Sequence, residues 1–314
     1  MVLATASPAA AEPLEIHSRK VALNPEDRAQ SAIGALEYLG GLALSAEDSR
    51  FGGLSGLDVS ADGTRMTAVT DRGHWVTARL VYDDGGRLTG VADGAIDPIR
   101  DETGRPVARP WNDAEEIARL ADGTLLVSFE HRHRIWAYRD FGALVSARAQ
   151  ALHVPGALAA APFNGGLEAL TALADGRLLA VTEKHFKGKG AVNAWLLSAG
   201  GSREQPLSYA VDSDFRPTSL ATLPDGDVLA LERRFTAVAG AAARLRRIDK
   251  EAIAPGATLA GREIARLAPP LTVDNFEGLA LRRDAGGAVQ LYMISDDNFR
   301  PHQRTLLMHF RLRE

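Results

Sequence analysis

One sequence pattern recurs five times and constrains the fold more than any other feature of the chain. Each copy opens with Ser, Thr or Glu, places an Asp seven residues later, and continues into an apolar strand that ends in Asp or Glu. In four copies Gly follows that Asp directly, and Asp-Gly between two apolar runs indicates a β-hairpin. The copies begin at Ser55, Glu115, Glu168, Thr218 and Glu277.

The spacing of the copies predicts the architecture. They lie about 50 to 60 residues apart, which leaves room for about four short strands in each, and repeats of this kind are typical of a β-propeller. We therefore expect an all-β fold with five blades. Only one strand, "TLLMHFRLRE", is evident after the last copy, so the segment 33–46, "IGALEYLGGLALSA", is predicted to complete that blade and close the ring with strands from both termini. A sixth, degenerate blade built from residues 12–50 is the alternative.

Composition limits the domain organisation and the partners. The 314 residues are predicted to form a single propeller domain over 12–314, preceded by an Ala-rich tail, 1–11, that resembles the end of a secretory signal peptide. The tail predicts a periplasmic or secreted protein, with a disordered tail as the alternative. The net charge of −4 and the lack of any long apolar run argue against nucleic-acid binding and against a membrane span. The lack of cysteine excludes a Cys nucleophile. The oligomeric state is not indicated.

The hairpin geometry predicts two rings of polar side chains on one face of the disc. In an antiparallel hairpin the residue that opens the first strand and the residue that closes the second lie at the same end. The first ring, on the channel, would be Ser55, Glu115, Glu168, Thr218 and Glu277. The second ring would be Asp71, Glu130, Glu183, Glu232 and Asp296. Crowded carboxylates require a compensating charge, and oxygen-only ligands favour Ca²⁺, so the first ring is a predicted calcium site.

Basic residues follow the second ring in every copy. They are predicted to hold an anionic ligand, together with the acids Asp71, Glu232 and Asp296 of that ring, although salt bridges between blades would explain them as well. The basic residues are Arg72, Arg132, Lys184, Arg233 and Arg300. The candidate proton-transfer groups are Glu130, Glu183 and His185, the last preferred over His74, His131 and His302 because it lies just after a ring acid and beside Lys184. His131 and His133 are more typical of a surface strand than of a zinc site.

Several segments resemble a known family. "FGGLSGLDVSADG", "DAEEIARLADGTLLVSFEHRHRIWAY", "RPTSLATLPDGDVLALERRF" and "DNFEGLAL" are similar to the phytase-like propellers described as having esterase-like activity, over nearly the whole chain from about Ala35. The resemblance implies an exported bacterial protein. The residue order of the first ring is also similar to the single-calcium ring of the calcium-activated apyrases, with Thr218 where a serine is expected. The denser acid set of the true β-propeller phytases is not evident in the sequence.

Two hypotheses of different classes follow from these patterns. The first is a calcium-dependent hydrolase of phosphate or carboxylate esters, in which Glu130 or Glu183 takes a proton while Arg132 and Arg233 hold the anion. The second is a non-catalytic propeller with a structural calcium, which binds a small anionic ligand or a protein partner. A sugar lactonase would place Asn on the ring, and none of the five copies begins with Asn.

Overall fold

The computed structural model describes residues 11–139, 141–198, 203–212, 214–236 and 238–313, and these form five sheets arranged as the blades of a propeller. The N-terminal segment supplies β1 (Glu12–Pro13), β2 (His17–Lys20), β3 (Ala32–Ile33) and β4 (Leu36–Ser45). Blade 1 contains β5 (Leu54–Val59), β6 (Arg65–Thr70), β7 (His74–Tyr82) and β8 (Leu88–Pro98), with β1 on its outer edge. Blade 2 contains β9 (Ala114–Arg119), β10 (Leu125–Phe129), β11 (Arg134–Tyr138) and β12 (Gln150–Leu152).

The remaining blades repeat this order outward from the axis. Blade 3 contains β13 (Leu167–Ala172), β14 (Leu178–Phe186), β15 (Ala191–Leu197) and β16 (Glu204–Ala210), with β20 (Thr258–Leu259) on its edge. Blade 4 contains β17 (Arg216–Thr222), β18 (Val228–Thr236), β19 (Gly240–Ile248) and β21 (Arg262–Leu267). Blade 5 contains β22 (Asn275–Arg283), β23 (Val289–Asp296) and β24 (Thr305–Leu312). Short 3-10 helices span Phe141–Ser146, Gly156–Ala160 and Lys250–Ala252. None of the helices in the described ranges is long and apolar enough to cross a membrane.

The ring is closed by strands from both ends of the chain. Strand β4 pairs antiparallel with the C-terminal strand β24, for example Leu42 with Leu307, and β2 pairs with the other edge of β4. The predicted all-β, five-bladed propeller and its closure by the segment 33–46 are confirmed. Residues 12–50 do not build a sixth blade, because β2 and β4 belong to blade 5 and β1 belongs to blade 1.

The core consists of five apolar layers, each between two neighbouring blades. Strands such as β10 are buried along their whole length because both faces of the sheet meet another sheet. Between blades 1 and 2, for instance, Trp75 meets Tyr138 edge-to-face with ring centroids 5.2 Å apart. This layered packing holds the innermost strands at fixed positions around the axis.

Every innermost strand carries one extra residue relative to its partner strand, at the same place in each blade. In blade 3, Leu167 pairs with Thr182 and Ala169 pairs with Val181, so that Glu168 has no opposite residue. Corresponding register shifts occur at the first position of the other four copies. Such β-bulges turn a side chain out of the regular alternation. The sequence repeat is therefore a repeat of bulges at one end of the channel, here called the upper face.

Candidate metal and active site

The first-ring residues lie at the five bulges but make different contacts. The Ser55 hydroxyl donates a hydrogen bond to Asp71 Oδ1 at 2.7 Å. The Thr218 hydroxyl donates to the backbone carbonyl of Phe276 at 3.2 Å and so ties blade 4 to blade 5. The carboxylates of Glu115 and Glu168 approach one another beside Glu130. Two of the three ring carboxylates thus meet on the side of blades 2 and 3, whereas the third, Glu277, lies in blade 5 and contacts Arg233.

Two overlapping groups of three ligand-type side chains share Glu130. One group is Glu115, Glu130 and Glu168, and within it one oxygen of each residue lies within 4.8 Å of the others. The second group, within the same distance limit, is Asp113, Glu130 and His131. Backbone N–H groups of Gly165 and Gly166 both donate to Glu130 Oε1, which fixes the orientation of this carboxylate. Glu130 is therefore the centre of the site.

His131 is held in a defined orientation against Asp113. Its Nδ1 lies 2.7 Å from the carbonyl oxygen of Pro110, which can only accept, so Nδ1 carries a hydrogen and donates. Its Nε2 lies 3.1 Å from Asp113 Oδ2. The ring stacks on Phe163 with centroids 4.1 Å apart, and the residue has φ +60°. This backbone conformation is unfavourable for a non-glycine residue, and such strain is concentrated at functional sites.

The enclosed position of the acids raises their pKa values. Burial, followed by repulsion from neighbouring carboxylates, raises the pKa of Glu115 and Glu168 well above the usual range. Burial likewise raises the pKa of Asp113 to about 6, against the opposing effect of His131. The same cause raises the pKa of three further acids, Asp71, Glu277 and Asp296, to about 8. The ionised forms of these acids are therefore unfavourable unless a cation compensates their charge.

The second ring contains an arginine where the sequence analysis placed Glu232. The ladder pair Pro217–Glu232 in blade 4 is equivalent to the pair Leu167–Thr182 in blade 3, so Arg233 is the counterpart of Glu183. The ring is Asp71, Glu130, Glu183, Arg233 and Asp296. The signal was present in the sequence, because Glu130, Glu183 and Arg233 all lie fifteen residues after the first position of their copies. Arg233 Nε lies 2.7 Å from Glu277 Oε1, and its Nη2 lies 3.4 Å from Glu183 Oε1.

Glu232 points to the opposite face of its strand, away from the channel. It is fully buried, accepts a hydrogen bond from the Tyr209 hydroxyl at 2.7 Å, and forms ion pairs with Arg244 and Arg246. Alternate residues of a strand face opposite sides, so a difference of one position exchanges the channel for the interior of the blade. The predicted role of Glu232 in ligand binding is therefore not supported by its position.

The other predicted basic residues are dispersed over the upper face. Lys184 pairs with Glu183. Arg72 stacks on Phe299 with its guanidinium carbon 3.3 Å from the ring centroid, and donates to the carbonyl of Ser49. Arg132 and Arg300 are exposed. Arg233 and Lys184 are thus the two predicted bases that contact the acids.

The predicted histidine is not the one that meets the acids. His185 lies beside Trp195, and burial lowers its pKa with His133 as the second cause. It has no place in either group of ligand-type residues. His131, which follows Glu130 directly, occupies that position instead.

Glu116, which the sequence analysis did not single out, closes the channel below the bulges. It is fully buried and accepts hydrogen bonds from the hydroxyl of Ser219, across the axis in blade 4, and from the N–H of Ile117. The same Ser219 oxygen accepts the N–H of Leu279 in blade 5 at 3.1 Å. Burial raises the pKa of Glu116 well above its usual range. The network separates the acidic site from the lower opening of the channel.

The donor set suits a hard divalent cation. Glu115, Glu130 and Glu168 offer carboxylate oxygens, and Ca²⁺ prefers such oxygens as ligands. Glu277 Oε2 is buried and makes no hydrogen bond within the described part of the chain. An unsatisfied buried carboxylate oxygen beside other acids requires a partner, and a cation supplies one. The residues present therefore fit a metal ion.

Comparison with known families assigns the chain to one of them. A family model for phytase-like proteins, described as "Esterase-like activity of phytase", matches residues 49–299. The chain belongs to this family. No curated protein matches the chain.

Among solved structures the similarity is at the level of the fold. A candidate gluconolactonase has 14% identity and a TM-score of 0.48, with 96% of this chain and 95% of that chain covered. The β-propeller domain of Cps50 (Swd1) from Myceliophteria thermophila has 12% identity and a TM-score of 0.42, with 95% and 99% covered. A luciferin-regenerating enzyme has 11% identity and a TM-score of 0.40, with 83% of this chain and 93% of that chain covered.

Proposed function

We propose that this phytase-like protein is a calcium-dependent hydrolase of phosphate or carboxylate esters. The observation that carries the proposal is that Glu130 belongs to two groups of side chains at once. It lies with Glu115 and Glu168 in an all-carboxylate group. It also lies beside Asp113 and His131, which we propose as a proton-transfer pair. The first group is suited to hold the metal ion, and the second lies directly beside it. The family description, esterase-like activity, supports the reaction class.

The chain's own residues then have separate roles. Glu115, Glu130 and Glu168 would hold the ion, and a bound Ca²⁺ would act as a Lewis acid that stabilises negative charge on the ester group. Asp113, with its pKa raised to about 6, and His131 would accept the proton of the attacking water, because a general base works best with a pKa near the working pH. Arg233, on the opposite side of the acids, would bind the anionic group of the substrate.

The test compares two histidines of the same loop. His131→Gln removes the ring that faces Asp113, and we expect kcat for ester hydrolysis to fall by about 100-fold or more. His133→Gln is the matched control, because the Nε2 of His133 contacts the carbonyl of Pro162 rather than an acid. We expect its kcat to stay within about twofold of the wild type. Thermal melting with and without Ca²⁺ should show the same calcium effect in both variants.

Two results would reject the proposal. Equal loss of activity in the two variants would show that His131 has no special part in proton transfer. If the wild type binds Ca²⁺ but hydrolyses none of a panel of phosphate and carboxylate esters, the hydrolase assignment fails. The non-catalytic binding protein, which uses the same face to hold an anionic ligand or a protein partner, then becomes the better description.

Export to the periplasm or the medium is a further part of the proposal. It is supported by the Ala-rich composition of residues 1–11, of which 1–10 lie outside the described residues. Fractionation of cells that express the full chain tests it, and retention of all the protein in the cytoplasm would contradict export.

A further inference from the structure

A pocket of about 550 Å³ opens on the upper face beside the acidic site, between the loops of blades 4 and 5. It shares two wall residues with that site. Arg233 contacts Glu277, and the side-chain amide of Asn275 donates to Glu277 Oε1 at 2.7 Å and to Asp296 Oδ2 at 3.3 Å. A ligand in this pocket would therefore lie against Arg233, the residue proposed to bind the anionic group of the substrate.

The wall combines positive charge with an apolar surface. Arg233, Arg300 and Arg304 line the pocket, and the acid among the lining residues, Asp274, lies 3.3 Å from Arg304 Nε. No ion pair involves Arg300 among the residues that the structure describes. The excess of guanidinium groups favours an anion, because each presents planar N–H donors that match a phosphate or carboxylate.

The apolar part of the wall belongs to one hairpin. Phe235 is 69% exposed, and it pairs across β18 and β19 with Ala241, whose small side chain leaves the space above it open. Period-two alternation places Phe235 on the same side of β18 as Arg233, one step further from the acids. An aromatic ring exposed in the wall of a pocket offers a stacking surface for a second ring.

We propose that this pocket binds the aromatic part of an organic anion, so that the preferred substrates are aryl phosphate esters rather than compact polyphosphates. Arg233 and Arg300 hold the anionic group near the acids, and Phe235 stacks on the ring. The preference among substrates rests on the proposed hydrolase function. The binding of an aromatic anion in the pocket does not depend on it.

Non-hydrolysable phosphonates separate the two statements. Calorimetric titration of the wild type with phenylphosphonate and with methylphosphonate, each in Ca²⁺ and in EDTA, should show about two- to tenfold tighter binding of the phenyl compound. Phe235→Ala should abolish this preference while the affinity for methylphosphonate is unchanged. Phe186→Ala is the matched control, since Phe186 is also an exposed aromatic residue of an upper-face hairpin, 48% exposed, but does not line this pocket. It should retain the preference.

Each result decides one of the two proposals. Equal affinity for the two phosphonates, or the same loss in Phe235→Ala and Phe186→Ala, overturns the aromatic pocket even if esters are hydrolysed. A preference for the phenyl compound that depends on Phe235, without hydrolysis of any ester, supports the pocket and rejects the hydrolase. Arg300→Gln should weaken both phosphonates together, and unchanged affinity would remove Arg300 from the anion site.

Discussion

Calcium binding should distinguish two neighbouring glutamates, Glu115 and Glu116. Glu115 lies in the group of carboxylates around Glu130, whereas Glu116 faces Ser219 across the channel. We compare Glu115→Gln with Glu116→Gln, because the two changes are chemically identical and lie side by side. Only the first should remove a ligand of the metal ion.

The expected size of the effect follows from linkage. A ligand that binds only the folded state stabilises it by about 2.7 kcal/mol at a concentration 100 times its Kd. The entropy of unfolding is about 2.1 cal/mol/K per residue, so a chain of 314 residues should gain about 4 °C in melting temperature. The wild type and Glu116→Gln should both show this rise. Glu116→Gln should start from a lower melting temperature, because the buried Ser219 hydroxyl and Ile117 N–H then have one acceptor oxygen fewer.

Without calcium, Glu115→Gln should melt at or above the temperature of the wild type. The substitution removes a carboxyl group whose pKa is raised by burial and by neighbouring acids, and so relieves repulsion in the folded state. Differential scanning calorimetry in EDTA, in Ca²⁺ and in Mg²⁺ measures all three proteins. An equal calcium shift in Glu115→Gln and in the wild type, or no shift in the wild type, would refute the placement of the metal ion.

Two further predictions concern pH and packing. In EDTA, the free energy of unfolding should decrease from about pH 4 to about pH 8, because the pKa values of Asp71, Glu277 and Asp296 are about 8 in the folded state and the folded protein therefore binds more protons than the unfolded chain. Urea unfolding at several pH values measures this dependence. Saturating Ca²⁺ should reduce the slope of the unfolding free energy against pH. An unfolding free energy that rises with pH in EDTA would contradict the prediction. Gly278→Ala should destabilise by several kcal/mol or prevent folding, since the added Cβ would lie 2.3 Å from the backbone oxygen of Ser55 in the next blade. Gly287→Ala, which has φ +87° but nothing within 4 Å of its added Cβ, is the control for strain without a clash.

Much of the fold was predictable because the determining signals are local and repeated. The five Asp-Gly or Asp turns with their apolar strands gave the number of blades, and the missing strand after Asp296 predicted closure by the segment 33–46. The five residues of the first ring lie at equivalent bulges for the same reason. A repeat in sequence fixes equivalent positions in space when every copy forms the same hairpin.

The second ring and the proton-transfer pair depended on the tertiary structure. Strand register decides whether Glu232 or Arg233 faces the channel, and a difference of one residue reverses the face. Asp113 and His131 lie outside the regular repeat, and they meet because the loop before β13 fixes Glu130 and supports the His131 ring. Glu116 closes the channel through a residue 103 positions away in sequence. The sequence by itself determined which residues are equivalent, whereas only the tertiary structure decided which of them meet, because side-chain contacts across the axis depend on bulges, register and loop paths rather than on local propensity.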